Sequence, residues 1–228
     1  MNLKKLDLTP FERGLWLGSA LTVSAAFWLN PAGGALHWIA SLIGVTALVF
    51  VAKGRAIGQI LTVVFAAFYG VISWHFAYYG EMITYLGMTS PIAVLTVVEW
   101  LRHPYEHSAE VAVRRMTRPQ TARMFALTAL VTAAFYFILR ALGTARLPLS
   151  TLSVATSFLA SYLTLMRSPA YAFAYAANDA VLVTLWLLAI RTDPSALPMV
   201  ACFGVFFVND SYGFVNWRRM AQRQGAAQ

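Results

Sequence analysis

Acidic side chains are scarce in this sequence. Nine Asp and Glu stand against seventeen Lys and Arg, and charged residues of both signs make up only 11% of the chain. A soluble domain covers its wet surface with roughly 25% charged residues. A chain of 228 residues that is 59% hydrophobic therefore excludes an ordinary water-facing surface. Cysteine is almost missing as well. The single Cys202 rules out an internal disulfide and a thiolate metal site, and within its apolar run it reads as a small packed hydrophobe. There is no Walker phosphate loop, which argues against an ATP-driven pump. No His-Glu-x-x-His pattern or nucleophile elbow occurs either, which argues against an intramembrane hydrolase. The amino-terminal stretch has basic residues, but its first apolar run ends at Trp28-Leu29-Asn30-Pro31 without a small-residue cleavage site, so no cleaved leader is expected.

What is present is hydrophobic length. Eight apolar segments lie at about 12–29, 35–52, 57–78, 82–101, 122–142, 148–166, 169–190 and 196–217. Each is near the ~20 residues a helix needs to cross the hydrocarbon core, and helices satisfy their own backbone groups in lipid. Turn and cap sequences separate them, among them Asn30 to Gly34, Lys53-Gly54-Arg55, Tyr79-Gly80-Glu81, Gly143 to Pro148, Arg167-Ser168-Pro169 and Asp193-Pro194-Ser195. The net charge of +8 is spread between these runs and forms no basic face of a soluble fold, so nucleic acid is not expected as a partner. Sorted over eight spans, Arg140, Arg146 and Arg191 fall on one side and the other fourteen Lys and Arg on the other. Because cytoplasmic loops hold the Lys/Arg excess, both termini are expected in the cytoplasm. The first span is the one this partition tests least, since without it only Lys4, Lys5 and Arg13 change sides. The stretch 103–121 is the longest polar one and reads as a solvated basic loop near anionic headgroups. His103 and His107 within it have metal-like spacing but no third ligand, and no metal is expected.

An internal repeat is visible in the order of features. Residues 41–102 and 153–219 each begin with Ser and an apolar span, then a short basic turn (Lys53-Gly54-Arg55; Arg167-Ser168-Pro169). A second span and turn follow, and each copy closes on a Trp with a basic neighbour, Trp100-Leu101-Arg102 and Trp217-Arg218-Arg219. Three spans would leave a tandem copy inverted, and one intervening helix, 122–142, restores its direction. The expected fold class is therefore an all-α integral membrane protein with eight transmembrane helices in a 1 + 3 + 1 + 3 order. Such parallel repeats occur in transporters with a central site. A single transporter domain is expected over 1–220, with repeat one at 35–102, repeat two at 148–219 and a cytoplasmic tail at 221–228.

Ionisable groups inside a membrane are expensive and by default mark pathways or sites. Asp7, Glu12, Glu106, Glu110 and Asp193 fall in loops or near the N-terminus, and Glu81 and Glu99 at span ends. That leaves Asp179 and Asp210, each directly after an asparagine, Asn178 and Asn209. These duplicated Asn-Asp pairs are the sharpest feature of the sequence. Tyr171, Tyr175 and Asn178 share a helical face, and Trp74, Tyr85, Trp186 and Tyr212 could add aromatic surface. The alternative for the Asn-Asp pairs is hydrogen-bonded glue between helices. Gln59 either lines a cavity or packs. Trp100 and Trp217, beside arginines at span ends, read as interfacial belt residues, as do Trp28 and Trp38. Glu99 is expected to pair with Arg102.

Several stretches together resemble the PnuC family of nicotinamide riboside (vitamin B3) transporters, relatives of the SWEET sugar carriers. They are Phe11-Glu12 with Trp16-Leu17, Ile39 to Gly44, Phe50 to Arg55, Tyr69 to Ser73, Tyr79 to Met82, Pro91 nine residues before Trp100, and Asn209 with Tyr212-Gly213 before Asn216-Trp217. The resemblance covers about residues 11–220. It implies a multi-pass, homo-oligomeric protein of the bacterial inner membrane, without cofactor, that passes a vitamin-like solute by facilitated diffusion as a uniporter. A cytoplasmic kinase would then trap the solute. Members also serve thiamine, riboflavin or nucleosides. The family's Trp-x-x-Trp before an Asn is replaced here by Tyr171 and Tyr175 before Asn178, so the resemblance implies the ligand class more firmly than the ligand. A ribose needs paired donors and acceptors, which Asn and Asp offer, and a cationic ring gains from carboxylates and aromatic faces. The competing classes are a membrane-embedded lipid-modifying enzyme, for which the acids are too dispersed, and a non-transporting subunit.

Overall fold

The computed structural model describes residues 8–31 and 34–225; Lys4, Lys5, Ala32 and Gly33 lie outside that range. The described residues form eight long helices: α1 Pro10–Leu29, α2 Gly34–Ala52, α3 Ala56–His75, α4 Tyr79–Arg102, α5 Arg118–Ala141, α6 Leu147–Leu165, α7 Tyr171–Ile190 and α8 Leu197–Arg223. Six of them (α2, α3, α4, α5, α7 and α8) are long and apolar enough to cross a membrane. Helix α1 carries Glu12 and Arg13 in its first turn, and α6 is rich in Ser and Thr, which lowers their hydropathy. The starts follow local chemistry. Thr9 with Glu12 and Thr117 with Gln120 form reciprocal capping boxes at α1 and α5, each with a proline at the first helical position. Helix α3 stops at His75, three residues before the expected limit, because the chain turns through Ala77 at positive φ. Helix α8 runs six residues past its expected end, so the expected tail at 221–228 begins as helix; residues 226–228 lie outside the described range. Helix α4 is interrupted by a π-turn at Tyr85–Thr89, a feature that shifts side-chain direction inside a helix.

Helices α2, α3, α4, α6, α7 and α8 close a ring in that order, α8 returning to α2. Helix α1 packs across α2 and α8, and α5 lies outside the ring against α6. On α5 only Met124 and Leu139 are buried, so its remaining apolar surface faces outward. One end of the bundle collects the basic turns: Val111 N–H donates to Gly54 O, Arg114 N–H to Arg167 O, and the Gln224 amide to Val111 O. At the opposite end Ala145 N–H donates to Ala77 O and Gly80 N–H to Thr144 Oγ1. Glu12 fastens three helices at the basic end. It accepts from Lys53 Nζ at 2.7 Å and from the Tyr212 hydroxyl at 2.9 Å, and it is 2% exposed.

Several span-end expectations are corrected here. Trp100 and Trp217 are not belt residues: both are buried, with ring centroids 5.4 Å apart. Trp100 Nε1–H donates to Thr164 O at the end of α6, and Trp217 Nε1–H to Val51 O at the end of α2. Each indole thus satisfies one of the carbonyls that a helix C-terminus leaves open. Trp28 stands 73% exposed at its helix end. Glu99 turns to His103 at 3.3 Å and Arg167 at 3.4 Å instead of Arg102, because the α6–α7 turn brings a cation closer than its own helix does. The loop at 103–117 is docked, not solvated throughout. Val111 and Val113 are buried, and Glu110 is held by Arg223 and Gln224 at the end of α8.

Gly58 sets the closeness of α2 and α3. A Cβ there would lie 2.5 Å from Val51 N and 2.9 Å from Ala47 O, both backbone atoms that cannot step aside. Gly58→Ala is therefore expected to destabilise the protein by about 1–3 kcal/mol, the usual cost of overpacking. A thermal melt in detergent reads this, and an unchanged melting point would mean that the two helices separate easily.

Candidate functional site

Inside the ring lies a cavity of about 40 Å³ lined by Gly44, Ala47, Leu48 and Val51 of α2, Gln59, Thr62 and Phe65 of α3, Tyr85 and Thr89 of α4, Tyr175 and Asp179 of α7, and Phe206 and Asp210 of α8. Ligand pockets usually measure about 300–1,000 Å³, so the bundle is closed around its centre. Asp179 and Asp210 are 2% and 3% exposed, and both line this cavity. Among the described residues no Lys, Arg or His belongs to the lining. Their positions follow from helix geometry: Asp179 sits two turns into α7 beyond Tyr171, and Tyr175 lies one turn before it on the same face.

An aromatic wall stands beside the acids. Phe65 stacks on Tyr69 at 5.5 Å, Tyr85 meets Tyr69 edge-on at 4.4 Å, and Phe206 lies 5.3 Å from Phe65. Trp186 is fully buried further along the same wall, its Nε1–H donating to the Tyr69 hydroxyl at 3.0 Å. Gly44 makes room for this packing, since a Cβ there would collide with the Phe206 ring.

Of the residues expected from the sequence, Asp179, Asp210, Tyr175 and Tyr85 meet at the cavity. Tyr171 is one step removed, packed on Trp217 at 4.7 Å and on Tyr175 at 6.1 Å. Asn178 turns to α6, where its Oδ1 accepts from Thr156 at 2.7 Å and Ser157 at 3.0 Å, while its Nδ2 is buried without a partner. Asn209 turns to α1, donating to Ser19 Oγ at 2.9 Å, and its Oδ1 is likewise buried and unpartnered. Both amides thus hold a neighbouring helix with one half and keep the other unpartnered. Two expected residues are elsewhere. Trp74 is 57% exposed at the end of α3 against Tyr79, and Tyr212 is spent on Glu12 at the basic end. Trp74 misses because it lies at a helix end, and Tyr212 because, two residues after Asp210, it points to about the opposite side of α8. Gln59 lines the cavity, as does Thr89; Phe65 and Phe206 join it without any polar signal that sequence reading could have used. Glu81, expected at a span end, is fully buried and accepts from Ser153 at 3.0 Å.

A closed ring of apolar helices around a small polar centre is the architecture of a membrane solute carrier. The nicotinamide mononucleotide transporter family model matches residues 34–219, and the chain belongs to that family. It is 24% identical over 220 residues to a protein of Neisseria mucosa named nicotinamide riboside transporter PnuC, covering 94% of this chain and 83% of the relative. A second relative of the same name, from Haemophilus influenzae, is 23% identical over 94% of this chain and 92% of its own length. The crystal structure of the vitamin B3 transporter PnuC superposes with a TM-score of 0.84 at 24% identity, covering 96% of this chain and 94% of that one. The family expected from the sequence is thus the family found, and its members are transporters, not enzymes.

Proposed function

We propose that this protein carries nicotinamide riboside across the bacterial inner membrane through a site centred on Asp179 and Asp210, with Tyr175, Tyr85 and the free amide halves of Asn178 and Asn209 completing it. All eight helices span, both termini lie in the cytoplasm, and α2–α4 and α6–α8 form two parallel triplets that rock about the centre. The crossed bonds of Trp100 to α6 and Trp217 to α2 support the triplets, because each third helix closes the first helix of the other set in the same way. The solute moves down its own gradient. With a cavity of only about 40 Å³, admission requires the triplets to part, which is alternating access.

The observation that carries the substrate is the charge of the lining. The family model is named for the mononucleotide and the two relatives for the riboside. A phosphate asks for Arg, Lys or backbone donors, and among the described residues this cavity offers two carboxyls and no cation. The riboside is a pyridinium cation with a diol, which suits carboxylates and aromatic faces. The test is thermal stability of the purified protein against nicotinamide riboside, the mononucleotide, thiamine, riboflavin and several deoxynucleosides. A ligand at 100 times its Kd adds about 2.7 kcal/mol. The riboside is expected to raise the melting point and the mononucleotide to leave it unchanged. A shift with the mononucleotide alone would refute the assignment, and no shift at all would favour a non-transporting subunit.

A further inference from the structure

At the basic end a surface cavity of about 840 Å³ opens between α1, α8 and the turn after α2. Its lining holds four cations, Lys53, Arg55, Arg219 and Arg223, and two acids, Glu12 and Glu110. Lys53 meets Glu12 at 2.7 Å and Arg223 meets Glu110 at 2.6 Å. Four cations against two acids leave the described lining with a net charge of +2. An apolar cavity of about 730 Å³ continues from it along the same two helices, and Phe11, Leu15 and Val208 line both. Glycines line its two walls: a Cβ at Gly14 or Gly18 of α1, or at Gly204 of α8, would meet nothing within 4 Å beyond its own turn of helix. We infer that this groove seats one anionic glycerophospholipid, its phosphate against Arg55 and Arg219 and an acyl chain along the glycine trough. The inference needs the chain to lie in a membrane and is independent of which solute the centre carries.

Three features select a lipid over other occupants. The first is order. The charged part lies at the end of the bundle and the apolar part toward its middle, as a headgroup and its chains lie in a leaflet. Along α1 the lining runs from Phe11 to Thr22, about 16 Å at 1.5 Å per residue, and one leaflet of hydrocarbon is about 15 Å deep. The second is charge. Basic pockets between membrane helices take anionic headgroups, and a guanidinium grips phosphate oxygens through two parallel hydrogen bonds. Arg219 stands exposed on α8 to do so. A second copy of this chain, lying parallel in the same membrane, would bring its own basic end to the same depth and set like charge on like charge. The third is the polarity of the trough. Its hydroxyls among the described residues are those of Ser19 and Thr22, turned to Asn209 and to Gly18 O. An acyl chain asks for no hydrogen-bond partner there, whereas an extended peptide would bury unpaired backbone groups. Seated in this way the lipid fills the seam between α1 and α8, beside the bonds that Glu12 makes to Lys53 and Tyr212.

Native mass spectrometry of the full chain counts bound lipid, with phosphatidylglycerol and phosphatidylethanolamine of identical acyl chains as probes. Wild type is expected to retain one phosphatidylglycerol and to hold the zwitterionic lipid much more weakly. Arg55→Gln and Arg219→Gln are each expected to weaken phosphatidylglycerol about fivefold, the usual contribution of one cation beside an anionic lipid, and together about 25-fold if they act independently. Arg219→Lys, which keeps the charge, is expected to retain most of the binding. Gly18→Leu fills the trough and is expected to expel the lipid with both arginines in place; Gly204→Leu fills it from α8 should the first variant fold poorly. Melts without lipid check that each variant is folded. Equal retention of the two headgroups would overturn the proposal. So would equal competition by glycerol phosphate, a headgroup without chains, which would make the basic cavity a site for soluble anions. Lipid undiminished in both leucine variants would overturn the acyl seat, and a changed oligomeric mass in those variants would give the trough to a second copy. Riboside affinity of the same preparations reports on the central site alone, so either reading can fail without the other.

Discussion

Trp217→Ala is expected to lower stability by about 3–5 kcal/mol, the range for deleting a buried large aromatic. Trp217 is wholly buried, packs 4.7 Å from Tyr171 and 5.4 Å from Trp100, and donates to Val51 O. Alanine would leave a void among three helices and an open carbonyl at the end of α2. Trp217→Phe keeps much of the ring and loses the donor, so its expected cost falls toward about 1–3 kcal/mol, the penalty for an unsatisfied buried group. Trp28→Ala provides the contrast, because Trp28 is 73% exposed and should change a detergent melt by less than about 0.5 kcal/mol. A Trp217→Ala melt as mild as that of Trp28→Ala would show that the indole closes no joint between helices.

The same two tryptophans mark where sequence reading reached its limit. A Trp beside an Arg at the end of an apolar run has one local meaning, the headgroup belt. Burial of both indoles depends on two helix ends from distant parts of the chain crossing, and nothing local to Trp100 or Trp217 reports that crossing. Helix positions were legible because they are local. Apolar length, the Thr9-to-Glu12 and Thr117-to-Gln120 caps, and the Gly and Pro punctuation set them within a few residues. The exceptions, the early stop at His75 and the long run to Arg223, come from the Ala77 turn and from the Glu110 clamp on Arg223 and Gln224. The π-turn at Tyr85–Thr89 had no residue signal at all.

The centre was partly legible for a different reason. Carboxylates are so costly within an apolar span that Asp179 and Asp210 stood out without any knowledge of their partners, and they share one cavity. Their asparagine neighbours were equally visible, yet a helix turns each successive residue by 100°, so Asn178 and Asn209 point toward α6 and α1 instead. Aromatic residues carried little positional information. Trp186 and Tyr85 fall near the centre while Trp74 and Tyr212 do not, because apolar packing and site lining use the same side chains. Phe65 on α3 lines the cavity as a stacking face on Tyr69. The carboxyl charge of the lining therefore belongs to α7 and α8 alone.

That asymmetry makes the paired variant Asp179→Asn/Asp210→Asn decisive. Two amides preserve the volume, but they remove all carboxyl charge from the cavity lining. Affinity for a ring cation is expected to fall by about 100-fold, roughly 3 kcal/mol at 1.4 kcal/mol per tenfold, while the neutral dihydropyridine form of the riboside loses little. Stability without ligand should hold or rise, since replacing buried charged groups by uncharged ones of similar volume is often neutral or stabilising. Detergent melts and ligand titrations on the same preparation separate the two quantities. The opposite pattern would be a large fall in melting point with equal loss of cationic and neutral ligands. It would make the acids a joint between α7 and α8, with recognition left to the aromatic wall. Sites held against stability are the ones retained for what they bind, so a variant that folds better and binds cations worse is the result that assigns this pair to transport.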